Sequence, residues 1–280
     1  MSTVINLFPG GKRKALTLSY DDGVIQDKKL VSIFNKYYLK ATFNLNSAIQ
    51  SEDNYWTQNG KTISRINIDE IERLYKGHEI AVHSLTHPHL EELPKEMILN
   101  EVFEDRKNLE KITQYPVRGM AYPFGTYNKK VLDVIDSCGI EYSRTVKQHE
   151  KFTLPDTFLE WHPTCHHTNP RFLEITKNFL ESEDKSMELL YVWGHSYEFD
   201  LNENWNLIEE FSKLVSNNNS IWYATNIEII DYLKALDALK YSADCSIVYN
   251  PTAISVWIGA YGIDIEIKPG EKLSILPNKQ

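Results

Sequence analysis

The stretch Ala15-Leu16-Thr17-Leu18-Ser19-Tyr20-Asp21-Asp22-Gly23 reads as a short apolar strand that runs into a tight turn and carries two carboxylates at its carboxyl end. Further strand candidates follow at 41–46, 79–84, 119–123, 141–146, 189–195 and 221–225. Helical patterns alternate with them at 28–38, 69–76, 95–112, 129–138, 171–180, 204–215 and 227–239. In the sixth of these helices, Leu207, Phe211, Leu214 and Val215 fall at i, i+4, i+7 and i+8, one face of a helix. Strands alternating with helices imply a parallel sheet with right-handed crossovers. Seven such units predict an α/β barrel, closed or nearly closed, one short of the eight-unit form.

Parallel α/β barrels carry their chemistry at the carboxyl ends of the strands. Asp21 and Asp22 follow the first strand, His83 ends the third, Pro123 the fourth and His195 the sixth, so distant polar residues are predicted to meet on one rim. Within His83-Ser84-Leu85-Thr86-His87 the two imidazoles stand at i and i+4. An HxxxH alone binds nothing in most chains, and an Asp-Asp-Gly turn is usually only a turn. Together they offer one carboxylate and two imidazoles to a divalent metal and leave a second carboxylate to act on water. That is a hydrolase layout.

With 280 residues, 42% hydrophobic and 25% charged, the chain suffices for one large α/β domain with a full core. A net charge of -9 argues against a nucleic-acid binder, which needs a basic face to track phosphates. Cys138, Cys165 and Cys245 are scattered without a CxxC pairing, so no disulfide framework is expected. The opening MSTVINLFPGGKRK lacks a basic region followed by a long apolar one, and no apolar run is long enough to span a bilayer. A soluble, cytoplasmic protein without a membrane span is therefore expected; oligomeric state is not legible.

Two segments depart from the repeat. Residues 47–67 form a polar insertion with Trp56 and Gly60, expected as a surface loop or a lid over the substrate. Beyond Lys240 the runs SIVYN, ISVWIG and IDIEIKPGEKLSIL read as strands punctuated by turns. Residues 1–239 are thus expected to form the barrel, and 240–280 a small β-rich extension packed on it rather than an independent module.

Ser19-Tyr20-Asp21-Asp22-Gly23 and His83-Ser84-Leu85-Thr86-His87 resemble the first two motifs of the polysaccharide deacetylases, the NodB-homology or carbohydrate esterase family 4 group. The resemblance covers roughly residues 12 to 239 and implies a distorted (β/α)7 barrel. It implies Asp21 as general base and Asp22, His83 and His87 as metal ligands, with zinc expected and cobalt as the alternative. Leu190-Tyr191-Val192-Trp193-Gly194-His195 looks like the late LxH motif, which makes His195 the general acid. The third motif departs from the family pattern. In Arg118-Gly119-Met120-Ala121-Tyr122-Pro123-Phe124-Gly125, Ala121 stands where the family has Arg, and Arg118 lies three residues earlier. Arg118 either reaches Asp21 or is a surface or core-edge residue. The residue after this proline, Phe124, is implied as a backbone oxyanion donor.

The family's fourth motif is not recognisable; Glu160-Trp161-His162-Pro163-Thr164-Cys165-His166-His167 stands in its place. Trp161 is expected as an apolar cleft wall and His166 as a substrate-binding residue or a partner tuning His195, against plain loop structure. A second metal site on His162, His166 and Cys165 is the minor reading. Asp156, Glu160, Glu198 and Asp200 are candidate partners for His195 or Arg118. Tyr122, Trp161 and Trp193 could stack on sugar faces or belong to the core. The resemblance implies a metal-dependent carbohydrate N-deacetylase acting on an acetylated carbohydrate. The alternatives are an O-acetyl esterase, an allantoinase-like hydrolase of small cyclic amides and a silent sugar-binding protein.

Overall fold

The computed structural model describes residues 4–183 and 186–275. Its centre is a sheet of eight parallel strands, labelled here β1 (Lys14–Asp21), β2 (Thr42–Leu45), β3 (Glu79–Val82), β4 (Gly119–Ala121), β5 (Tyr142–Arg144), β6 (Cys165–His166), β7 (Glu188–Gly194) and β8 (Ile221–Tyr223). The order is β5-β4-β3-β2-β1-β7-β6, with β8 also on β1. The Trp161–His166 segment brings the two ends of this order together. Trp161 bridges Arg144 in parallel, and Cys165 and His166 pair with Val192 and Trp193.

The expected barrel is therefore present, with one strand exchanged. The predicted seventh strand, 221–225, forms over Ile221–Tyr223 and pairs among the described residues only with Lys14–Leu16 at the foot of β1, where β2 has diverged to pair with Ser19–Asp21. The place between β5 and β7 is taken by the histidine-rich segment, which was expected as a loop.

Strand alternation sorts β1 into two faces. Leu16, Leu18 and Tyr20 point outward into the large apolar cluster with Leu30, Phe34 and Phe211 from the helix layer. Thr17, Ser19 and Asp21 point inward and meet polar side chains from other strands. Thr17 Oγ1 donates to Asn226 Oδ1 at 2.7 Å, and Asn44 Nδ2 donates to Ser19 Oγ at 2.8 Å. At the foot, Glu79 accepts from Tyr142 OH (2.7 Å), Thr42 Oγ1 (2.8 Å) and Ile227 N (2.9 Å). A polar barrel interior is tolerable because its buried groups find partners of this kind.

The helices fall close to their predicted spans, among them Asp27–Lys36, Lys95–Thr113, Lys129–Ser137 and Asn226–Asp237. The last opens on a capping box of Thr225 and Glu228, which satisfies backbone donors at both ends of the box. The tail forms antiparallel strands as expected, in two sheets. Val256–Ala260 pairs with Ile263–Ile267 and with Ile5–Leu7, while Ile247–Tyr249 pairs with Lys240–Tyr241 and Lys272–Ser274. Val248, Val256, Ile258 and Ile267 pack with Phe8, Ala15 and Leu189 at the amino ends of β1 and β7. The extension covers that end of the barrel and leaves the carboxyl rim open.

Candidate active site

Asp21 is the last residue of β1 and Asp22 the first of the turn, so their side chains diverge from adjacent backbone positions onto the rim. Asp22 adopts φ 82 and Gly23 φ 62; a Cβ on Gly23 would meet Leu45 at 2.7 Å, which is why the turn ends in glycine. Ser84, His87 and Phe124 also hold positive φ, so four non-glycine residues at this rim carry backbone strain.

Asp22, His83 and His87 place one donor atom each within 4.8 Å of one another. His83 Nδ1 donates to the Ala121 carbonyl at 2.8 Å, which leaves its Nε2 as a lone pair facing the cluster. Burial, reinforced by His87, pushes the His83 imidazole well below its usual range, and burial also lowers His87. Burial alone would raise Asp22, but His195, Arg65, His83 and His87 outweigh it and hold the carboxyl below its usual value. Two neutral imidazoles and a carboxylate make a donor set that fits a divalent cation. The HSLTH loop is held from α-helix Lys95–Thr113. Glu101 accepts from Thr86 N (2.9 Å) and Thr86 Oγ1 (2.8 Å), and Asp105 from His83 N (3.1 Å) and Ser47 N (2.7 Å).

Asp21 lies beside this set. Its Oδ1 accepts from Asn44 Nδ2 at 2.8 Å and its Oδ2 from Arg144 Nη2. Arg144 is fully buried, and its guanidinium lies 4.2 Å from the centre of the Trp193 ring. His195 faces the carboxylates from across the rim, with Nε2 3.9 Å from Asp21 Oδ2 and from Asp22 Oδ2. Glu198 Oε2 accepts the His195 backbone N–H at 3.0 Å and lies 3.4 Å from its Nδ1. Burial draws the His195 imidazole down, but the Glu198 hydrogen bond and the charges of Asp22, Glu198 and Asp21 outweigh it and lift it to about 9. The same rim thus holds a paired carboxylate and an imidazole biased to carry a proton.

Asp21, Asp22, His83, His87 and His195 come together as predicted, and Phe124 stands next to them with its ring edge-on to His87 at 4.5 Å. Arg118 does not. It precedes β4, at the opposite end of the barrel, where Nη1 and Nη2 donate to Asp231 at 2.8 and 2.7 Å and Nη1 to Glu141 at 3.0 Å. Arg144 pairs with Asp21 instead. It ends the observed β5, two residues short of the predicted end of that strand at 146, and the rim rule applied to the carboxyl half of the strand would have pointed to it.

The expected cleft aromatics are corrected as well. Tyr122 is 1% exposed, stacks on Tyr127 and donates its hydroxyl to the Leu159 carbonyl at 2.8 Å. Trp161, also 1% exposed, packs against Tyr142 and Tyr191 in the barrel interior because its segment is a barrel strand. Trp193 is buried under Arg144. The metal site on His162, His166 and Cys165 does not form. His162 Nδ1 is engaged with Thr145 Oγ1 at 2.6 Å, and burial raises the Cys165 thiol to about 12.

His166 instead joins His167 and Glu198. Its Nε2 lies 3.2 Å from Glu198 Oε2, and its Nδ1 accepts the Thr168 backbone N–H at 3.1 Å. An Nδ1 that accepts leaves the proton on Nε2, which faces Glu198, so His166 and Glu198 read as a support for His195, while His167 approaches Glu198 at 3.3 Å with no hydrogen-bond partner at either ring nitrogen. His167 is stacked between Tyr20 and Phe199, fully buried. Of the four acidic candidates for a partner of His195, Glu198 is the one in contact. Arg65 went unread in the sequence. Its Nη1 donates to the Asp22 carbonyl (2.5 Å) and to Asn46 Oδ1 (3.0 Å), and its Nη2 lies 3.5 Å from Asp22 Oδ1.

The family model "Polysaccharide deacetylase" matches residues 9–143. Among solved structures, a Mycobacterium smegmatis protein assigned to the polysaccharide deacetylases aligns at 14% identity over 83% of this chain and 94% of that one, with a TM-score of 0.63. The Xyl-CE4 domain of a multidomain xylanase from the hindgut metagenome of Trinervitermes trinervoides aligns at 16% identity over 80% and 92%, with a TM-score of 0.53. These likenesses speak to the fold. A Streptococcus pyogenes deacetylase in complex with acetate aligns at 20% identity over 46% of this chain and 55% of that one, with a TM-score of 0.41. No curated protein matches the chain. Among the described residues, no helix is long and apolar enough to cross a membrane. The polysaccharide deacetylase model thus spans both the DDG turn and the HSLTH loop, and residues 9–143 resemble that family on a fold shared with the two larger alignments.

Proposed function

We propose that the chain is a metal-dependent carbohydrate N-deacetylase that releases acetate from N-acetylated amino sugars. The observation that supports this best is the pairing of Asp21 with Arg144 and Asn44, one oxygen each, within 4 Å of the His83 and His195 imidazoles. Asp22, His83 and His87 would hold a divalent cation, zinc by the donor set or cobalt in its place, and the chemistry it would supply there is that of a Lewis acid toward the acetyl carbonyl and water.

Asp21 takes the proton of the attacking water, oriented by Arg144 and Asn44. The water oxygen bonds to the acetyl carbon, and the Phe124 backbone N–H serves the developing oxyanion. As the C–N bond breaks, His195 Nε2–H protonates the departing amine nitrogen, with Glu198 holding Nδ1 and the imidazolium charge. Acetate and the free amino sugar result. O-acetyl esters present the same carbonyl to the same groups and are the second substrate class to assay.

The test is acetate release from N-acetylglucosamine oligomers and from acetylated xylan, before and after chelation and zinc reloading. Release from the oligomers that chelation removes and zinc restores is expected. Turnover undiminished by chelation, or release only from xylan esters, would overturn the reading.

A further inference from the structure

Asp21 and Asp22 stand on one turn and His195 on another, and the pairing of their strands stops short of both. The ladder between β1 and β7 ends at Tyr20 opposite Gly194, one residue before Asp21 on one side and before His195 on the other. Beyond it, His195 Nε2 approaches Asp21 Oδ2 and Asp22 Oδ2 at 3.9 Å. A group misplaced by about 1 Å can lose about a hundredfold in rate, so this approach needs a support past the end of the ladder.

A buried acid joins the two turns there. Asp27 opens the helix Asp27–Lys36 shortly after the DDG turn, and its backbone N–H donates back to the Val24 carbonyl at 2.9 Å. Its Oδ1 accepts the hydroxyl of Ser196, the residue after His195, and its Oδ2 accepts the hydroxyl of Tyr75 at 2.6 Å. Asp27 and Ser196 are fully buried, and the Ser196 carbonyl accepts from Phe199 N at 3.2 Å within the same turn. Tyr75 follows the helical turn Ile71–Leu74, and its ring packs on Phe43 of β2 with 4.4 Å between centres. One carboxyl thus links the DDG turn to the His195 turn through Ser196, and to the barrel wall through Tyr75. Burying a carboxyl costs free energy that its hydrogen bonds only offset, and apolar groups of the same shape would hold the fold about as well. Stability alone therefore does not account for the acid.

We infer that Asp27 is a positioning residue for His195: acting through the Ser196 hydroxyl, it sets where the imidazole stands over Asp21 and Asp22. What His195 does there rests on the deacetylase reading; where Asp27 holds it does not. Asp27 exchanges no proton with the substrate and acts only through the turn that carries His195.

The two hydroxyl partners separate positioning from stability. Ser196→Ala removes the bond that leads to His195 and Tyr75→Phe the one that leads to the barrel wall. Each deletes one hydroxyl donor to the same buried carboxyl, so both should lower the melting temperature to a similar extent. Ser196→Ala should lower kcat for acetate release from N-acetylglucosamine oligomers about tenfold to a hundredfold with KM within about twofold, whereas Tyr75→Phe should keep kcat within about threefold. Asp27→Ala should lower kcat as far as Ser196→Ala does, and the double variant no further. Histidine side-chain NMR, with His195 assigned from His195→Gln, should show its ring resonances moved in Ser196→Ala and unmoved in Tyr75→Phe. Undiminished kcat in Ser196→Ala, or equal losses of kcat in Ser196→Ala and Tyr75→Phe, would overturn the positioning role. If the wild type releases no acetate, the deacetylase reading falls and the NMR comparison decides alone: His195 resonances that move in both variants or in neither overturn the role of Asp27, and resonances that move only in Ser196→Ala uphold it.

Discussion

Arg144, at the end of β5, reaches across the rim to donate to Asp21 at the end of β1. Neither side chain is accessible to solvent to any extent that could screen the pair, since Arg144 is fully buried and Asp21 nearly so. Breaking a buried ion pair from one side leaves an uncompensated charge and costs about 3–5 kcal/mol. This pairing therefore fixes the orientation of the Asp21 carboxylate and also contributes to the fold.

Arg144→Met should lower kcat by about a hundredfold, the scale of a catalytic group displaced by an ångström, and should lower the melting temperature as well. Arg118→Met should leave kcat within about twofold and cost about 1 kcal/mol, because its pairs with Asp231 and Glu141 are partly exposed. Steady-state kinetics and urea unfolding of the two variants check this; equal losses of kcat would contradict the placement of both arginines.

Removal of the Glu198 carboxylate should shift the pH profile. His195 is raised to about 9, so as a proton donor it supports turnover below that value and fails above it. In Glu198→Gln the hydrogen bond and the charge that raise it are both weakened, so the alkaline limb of kcat should move to lower pH. Replacing Glu198 without moving that limb would count against its role.

Glu79 gives a stability prediction of definite sign. Burial raises it from 4.5 to about 7 against the donors around it. A carboxyl raised in the fold contributes its stability in full below pH 4.5, and that contribution is lost as pH rises to about 7. Glu79→Gln has no such titration but turns an amide N–H toward one of three donors, at a cost of about 1–3 kcal/mol. The variant should therefore be less stable than the wild type at pH 5, with a gap that narrows by pH 7.5 in urea unfolding. A gap that widens would mean the carboxylate, not the acid, is the form the fold prefers.

Zinc added to chelated protein should raise the melting temperature, since a ligand that binds only the folded state stabilises it by mass action, about 4 kcal/mol at a thousand times Kd. The rise should be absent in His83→Ala. A zinc-dependent rise that survives this substitution would place the cation elsewhere.

Much of this was legible in the sequence because the chemistry sits where β/α alternation puts it. Asp21, Asp22, His83 and His195 stand at strand ends, and alternation alone brings them together. Arg118 was misread because its distance from Pro123 in sequence says nothing of which end of β4 it occupies; it stands before the strand. Trp161 was misread because its segment pairs over only two residues at Cys165–His166, too short to show a strand period, whereas His166 stands beside Glu198, the partner of His195, in line with one of the two readings left open for it. Arg65 was hidden in the polar insertion 47–67, whose hairpin, Tyr55–Gln58 with Lys61–Ser64, is set by its contacts with the DDG turn rather than by a pattern of its own. Glu198 stood among four equivalent acids until the turn after β7 selected it.

The division of labour between the adjacent carboxylates is the central claim, and zinc content measured together with kcat in Asp21→Asn and Asp22→Asn tests it most directly. Asp21→Asn should bind zinc with wild-type stoichiometry and lose about a thousandfold or more in kcat, a range typical of removing a general base, whereas Asp22→Asn should lose the zinc. Loss of zinc from Asp21→Asn, or wild-type turnover in it, would contradict the account.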